Sequence, residues 1–201
     1  MSQAIRWVFA MLLLATMAGC QSSKMVRSDG VDNTPAAGKA MVVFLRASTF
    51  GGAVQASVYD TGETADQFIG IVSSKTKLAW QADPGDHLFM VIAENADFMI
   101  AHLEAGKTYY ALVRPRVGVW KARFSLLPIR NDPAAKYNLQ SEDFRDWMKS
   151  TAWVRNTAES EQWFRENQSA IREKKLDYLR KWNAADPQQH AELTLDATDG
   201  V

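Results

Sequence analysis

Between residues 40 and 129 the chain alternates short apolar runs with turn residues. Met41-Val42-Val43-Phe44-Leu45 is apolar on both faces, as a central strand is, while Val54, Ala56 and Val58 alternate with Gln55, Ser57 and Tyr59 in the period of a half-buried strand. The same reading predicts strands over 67–72 and 77–82. After the Asp83-Pro84-Gly85-Asp86 turn it predicts strands over 87–93, 98–103 and 108–113, with Glu94-Asn95-Ala96-Asp97 and Ala105-Gly106-Lys107 between them. A last strand carries Trp120, Ala122, Phe124 and Leu126 in alternation. About eight short strands at this spacing predict a mainly β fold, an antiparallel β-sandwich. No helical pattern separates them, which argues against a parallel sheet built from βαβ units.

After Pro128 the period changes. Asn131-Asp132-Pro133 ends the strand run, and Ser141 opens a short helical stretch containing Phe144, Trp147 and Met148. Asn156, with Glu159 three residues on, predicts the cap of a second helix that runs to about residue 184 and stops at Asp186-Pro187. Phe164, Ile171, Tyr178 and Trp182 fall within about 40° of one another at 100° per residue, forming a narrow helical stripe that Gln168 and Lys175 interrupt. Strands apolar on both faces need a cover that a two-sheet sandwich lacks, so the first helix is expected on an outer sheet face. The interrupted stripe, Phe164, Ile171, Tyr178 and Trp182, is expected to meet a partner protein or a second copy of the chain.

The amino-terminal pattern is different again. Arg6 precedes an apolar run from Trp7 to Ala15 and a small-residue exit, the form of a secretory signal peptide. The run is too short for a bilayer span, which needs about 20 apolar residues. The exit Met17-Ala18-Gly19-Cys20 resembles the bacterial lipobox, with Met17 in place of the preferred Leu. In proteins with that signal the cysteine is acylated and becomes the new amino terminus. Cys20 is the only cysteine in the chain, and acylation accounts for a thiol that would otherwise be left unpaired in an exported protein. Gln21, where enterobacterial sorting places Asp for inner-membrane retention, favours the outer membrane, facing the periplasm. The chain thus divides into a signal peptide (1–19), an acylated cysteine with a polar flexible linker (20–39), a β-sandwich (40–130) and a helical C-terminal extension (131–201). The linker, as a random coil of some 19 residues, would reach roughly 25 Å.

Composition removes several functions. The chain holds 23 Lys and Arg against 23 Asp and Glu, without the concentrated basic face that a nucleic-acid partner requires. The three histidines, His87, His102 and His190, have no short metal-ligand spacing, and His87 and His102 read as satisfied histidines on strands. No nucleophile elbow, dinucleotide fingerprint or phosphate-binding loop is present, so neither a catalytic set nor a cofactor is expected. The basic run Arg172 to Lys181 reads as a solvated helix face.

Four segments in order, MVVFLR (41–46), PGDH (84–87), LEAGKTYYALV (103–113) and GVWKARFSLLPI (118–129), together with the lipobox, resemble a family of uncharacterised bacterial lipoproteins that share a domain of unknown function. The resemblance covers residues 38 to 139, and its most distinctive piece is Ala-Gly-Lys-Thr-Tyr-Tyr. It implies a small β-sandwich in the cell envelope and supplies no activity. Physically, Gly106-Lys107 makes a turn, and Tyr109 and Tyr110 point to opposite faces of one strand. The ring that enters the core needs a partner for its hydroxyl, and a bond to nearby backbone, like that of a tyrosine corner, provides it. The function expected is a non-enzymatic, lipid-anchored interaction or structural module. The alternative is an envelope hydrolase or a glycan- or peptidoglycan-binding protein, which would show rings among Trp80, Trp120, Trp147, Trp153 and Trp163 lined up at the surface.

Overall fold

The structure is a computed structural model that describes residues 24–30, 34–52, 54–62, 64–116 and 123–201. The eight strands expected from the period are all present: β2 (Ala40–Arg46), β3 (Ala56–Asp60), β4 (Gln67–Val72), β5 (Thr76–Ala82), β6 (Gly85–Ile92), β7 (Ala96–Leu103), β8 (Thr108–Arg116) and β9 (Arg123–Ile129). Three short strands join them from the flanking segments: β1 (Val26–Arg27), β10 (Ala152–Arg155) and β11 (Thr194–Leu195). The protein is mainly β, with a six-stranded sheet in the order β1-β10-β5-β2-β8-β9 and a five-stranded sheet in the order β11-β7-β6-β3-β4.

The sheets are mixed and not purely antiparallel. β2 pairs parallel with β8, β5 with β10, and β7 with β11. A parallel pair requires a long connection between its strands. Here the connections are the excursion through the other sheet between β2 and β8, and the helices that precede β10 and β11. Side-chain periodicity carries no information on pairing direction, so the expectation of an all-antiparallel sandwich fails for these three pairs.

Burial follows the pleat. Along β2 the residues Ala40, Val42 and Phe44 enter the main core, where Phe44 meets Phe89 edge-on at 5.2 Å, while Leu45 belongs to a second cluster on the opposite face. Both outer sheet faces are covered by helices. α1 (Glu142–Ser150) lays Phe144, Trp147 and Met148 over Leu45, Leu112 and Ile129 of the six-stranded sheet. Its cap is Ser141, whose hydroxyl accepts from the Phe144 N–H at 3.1 Å, and Glu142 and Asp143 occupy the first turn, where the helix dipole favours acids.

α2 (Ala158–Asn183) crosses the five-stranded sheet. Its cap is Thr157 in a reciprocal box with Ser160, one residue beyond the Asn156–Glu159 pair expected from sequence. Asn156 is occupied elsewhere, donating to the Ile69 carbonyl of β4 at 3.1 Å. Asp186-Pro187 does end α2, and it also starts α3 (Pro187–Glu192), which Asp186 caps.

The two boundaries expected from composition dissolve. The described part of the 20–39 linker lies on the domain: β1 pairs with β10, Met25 is buried, and the Gln81 side chain bonds the backbone at Thr34 and Ala36. Two apolar residues, Met25 and Val26, suffice to extend a sheet edge in a segment otherwise polar. Nor is 131–201 an extension. It supplies a strand to each sheet, and Val154, Ile171, Trp182 and Leu195 are core residues. The C-terminal end returns to β8, where Val201 and Thr108 exchange backbone hydrogen bonds at 2.7 and 3.1 Å.

Candidate functional site

α2 meets its sheet through aromatic rings near its two ends. Phe164 stacks on Phe68 at 5.0 Å and touches Tyr59, and Trp163 lies 6.1 Å from Phe68. Near the other end Trp182 packs on Phe98 at 5.7 Å and on His190 at 4.5 Å. Between these anchors only Ile171 is buried. A helix of 26 residues is about 39 Å long at 1.5 Å per residue, whereas a sheet twists; contact near the two ends and at Ile171 leaves space beside the helix.

That space is two clefts, one on each flank of Ile171. The larger, of about 700 Å³, lies between α2, Leu88 of β6 and the residues Thr61, Gly62, Thr64, Ala65 and Asp66. Its apolar wall is Leu88, Phe164, Ile171 and Leu179, and Gln168 and Arg172 stand at its polar side. Lys175 crosses its edge to Asp66 at 2.6 Å and to the Gly62 carbonyl at 3.0 Å, with both charged side chains nearly buried. The smaller cleft, of about 370 Å³, is walled by Val54, Ile71, Ile92, Trp163 and Ile171, with Lys24 and Lys174 beside it. Lys174 is fixed by the Ala93 carbonyl at 2.6 Å. A concavity with an apolar floor and a few placed polar groups is the usual form of a ligand site.

The sequence-predicted residues divide plainly. Met17, Ala18, Gly19 and Cys20 lie outside the described residues, as does Trp120. Phe164, Ile171, Tyr178 and Trp182 come together, against the chain's own five-stranded sheet. The stripe expected to await a partner is covered by β3, β4, β6 and β7. Gln168 and Lys175, which interrupt that stripe in the sequence, both line the larger cleft. Trp80, Trp147, Trp153 and Trp163 are each partly buried, and Lys77 lies over the Trp153 ring at 4.8 Å.

His87 resembles half of a catalytic dyad, and its bonding argues otherwise. Nδ1 meets Asp60 Oδ2 and Nε2 meets the Asp83 carbonyl, both at 2.8 Å. Two acceptors, one per ring nitrogen, favour the doubly protonated ring, and the Asp60 hydrogen bond is the chief cause of a raised pKa. No ring nitrogen is left to take a proton from a substrate. His102 pairs with Asp86 at an exposed strand position, and His190 bonds the Trp182 carbonyl. Among the described residues no group of three or more His, Cys, Asp or Glu is placed to hold a metal ion.

Several polar residues escaped sequence reading because each works from inside the core. Arg46, fully buried at the end of the apolar β2, donates to the carbonyls of Phe50, Gly51 and Val54 and lies over the Phe124 ring, and burial lowers its pKa to about 10. Lys77 gives its three protons to the Met148 carbonyl and to the carbonyl and hydroxyl of Thr151, at the C-terminal end of α1, where a cation suits the helix dipole. Asn95 pairs its amide with both backbone groups of Phe124, and Asp97 accepts from Leu126 N–H, so side chains at and just before the start of β7 satisfy backbone groups of β9. The Gly106 turn is as expected, with φ +81° at Gly106. Tyr109 is the buried ring. Its hydroxyl accepts from Glu104 N–H at 2.9 Å and donates to the Ala197 carbonyl at 3.2 Å, and Tyr110 faces α1.

No family model matches this chain, and no curated protein matches it. Over 54% of its length it is similar to the whole of a chain in an NMR structure of a protein from Eubacterium rectale, at 9% identity and a TM-score of 0.33. A likeness that loose carries no weight for fold or function.

Proposed function

We propose that this chain is a non-enzymatic binding module of the bacterial cell envelope, anchored by lipid on Cys20 in the outer membrane and facing the periplasm. The observation that carries the reading is the larger cleft, walled by Leu88, Phe164, Ile171 and Leu179 and held open by the Lys175–Asp66 pair. Around it are hydrogen-bond donors and an apolar floor. The His87–Asp60 pair lies at the end of the sandwich with both ring nitrogens engaged. The alternative, a hydrolase or glycan-binding protein of the envelope, draws no support from the indoles: the four described ones named as candidates are packed, and none is in a row of exposed rings on which a sugar face can stack.

The test has two parts. Cys20→Ser is expected to release the chain from the membrane fraction, and unchanged retention would remove the anchor from the reading. A photoreactive residue at Leu176, exposed at the mouth of the larger cleft, is expected to give a discrete cross-linked species in intact cells. Turnover of purified peptidoglycan by the purified protein would replace the binding module with the hydrolase.

A further inference from the structure

The distance between the anchor and the folded domain is set by the chain itself. Four residues lead from Cys20 to Lys24, and an extended chain spans at most about 3.6 Å per residue, so Cys20 is held within about 14 Å of Lys24. Lys24 is not free to move away from the domain. Its carbonyl accepts from the Thr157 hydroxyl at 2.6 Å and its ammonium pairs with Glu159 at 3.0 Å. The next residue, Met25, is buried with its sulfur accepting from Ile71 N–H at 3.4 Å. The tether therefore ends at the corner where β10 passes into α2.

That corner has the chemistry of a membrane contact. β1 is the outermost strand of the six-stranded sheet; it presents Val26, 40% exposed, on the same face as its exposed cross-strand partner Arg155 of β10, and exposed Arg27 on the other face of the edge. Neither arginine has an acidic partner among the described residues. An edge that carries an exposed apolar side chain and a cation on each face suits an anionic leaflet, where each cation near the surface is worth about 1 kcal/mol. The smaller cleft opens at the same corner, with Lys24 in its wall.

We infer that the anchored protein does not stand off on a flexible linker but lies with the β1–β10 edge and the N-terminal corner of α2 against an anionic bilayer leaflet. This rests on Cys20 carrying the lipid. The opposite edge of the same sheet, β9, is five strands away, about 24 Å at the usual strand spacing, and points away from the leaflet. The geometry requires both the short tether and the pinned Lys24; either alone would leave the domain free to tumble.

Because Cys20 is the only native cysteine, a second one can be labelled uniquely in the acylated protein. Val26→Cys and Arg123→Cys, at exposed positions on β1 and β9, would carry the same fluorophore. Each full-length acylated protein would be reconstituted in vesicles of phosphatidylethanolamine and phosphatidylglycerol containing headgroup nitroxide lipid. Quenching is expected to be several-fold stronger at position 26 than at position 123. A flexible insertion of about 20 residues between Gln21 and Lys24 is expected to bring the two closer together, as a coil reaching roughly 25 Å would allow. Equal quenching with an intact mass showing the lipid would overturn the orientation and leave the anchor standing. An intact mass without lipid would overturn both.

Discussion

The two helices solve the same problem, covering the outer face of a sheet, in different ways. α1 has nine residues: Phe144 meets Tyr110 edge-on at 4.9 Å, Trp147 meets Tyr137, the buried Lys77 closes its C-terminal end, and one cleft of about 330 Å³ lies beside Asp143 and Trp147. α2 has 26 residues, touches its sheet through rings near its ends and through Ile171 at its middle, and leaves a cleft on each flank. A short helix has little length over which to part from a twisted surface. A long one has to choose where to touch, and the residues at the gaps need not be apolar. The interruptions at Gln168 and Lys175 are thus the mark of a cleft.

The comparison breaks most severely if both covers are removed together. Truncation after Asp132 takes away α1, α2, β10 and β11, and with them Val154, Ile171, Trp182 and Leu195. Each fully buried large side chain is worth roughly 1.5–3 kcal/mol, against a total stability of about 5–15 kcal/mol for a typical domain. The truncated chain is expected to lose its near-ultraviolet circular dichroism and to show no cooperative melt. A cooperative transition within a few degrees of the full chain would mean that the helices decorate a sandwich that is stable without them.

A smaller cut separates the two covers. Ile171→Ala removes the single contact between the clefts and joins them beneath α2. Loss of a buried isoleucine side chain costs about 2–5 kcal/mol, and the low end is expected here because the site is already flanked by open space. About 2 kcal/mol corresponds to a fall in Tm of roughly 4–8 °C for a chain of this size. The near-ultraviolet signal of α1's Trp147 should stay unchanged. A fall beyond 15 °C would show that α2 is held as tightly at its middle as α1 is.

The strands were legible because burial on alternate faces writes itself into the sequence with period two: all eight, β2 to β9, stand within a few residues of where the pattern puts them. So were the Ser141 helix start, the Gly106 turn and the division of Tyr109 and Tyr110 between opposite faces, though not which of the two rings is buried. What was not legible depends on meetings between distant segments. Val26-Arg27 is too short to show a period, yet it forms the edge of the six-stranded sheet. Lys77 and Arg46 read as ordinary strand ends, because the carbonyls that receive them belong to Met148 and Thr151 and to Phe50, Gly51 and Val54. The larger cleft joins α2 to a segment a hundred residues earlier through Lys175 and Asp66, and neither residue signals the other.

Gln168 gives the finest test of the difference between the helices. By helical angle it sits in the stripe with Phe164 and Ile171, so a reading from sequence alone would press it against the sheet. In the structure it is exposed on the wall of the larger cleft. Gln168→Leu distinguishes the two cases with little interference from the helix itself, since glutamine and leucine have similar helix propensities. If position 168 met the sheet, a leucine there would bury apolar surface and stabilise the protein by more than 1 kcal/mol, on the scale of 25 cal/mol per Å². If it faces an open cleft, the change stays within about 0.5 kcal/mol, as for an exposed substitution. The measurement is the midpoint of urea unfolding at constant m-value. A midpoint within error of the parent is expected. A clear rise would mean that α2 closes onto its sheet in solution, that the larger cleft is not open, and that the two helices cover their sheets alike.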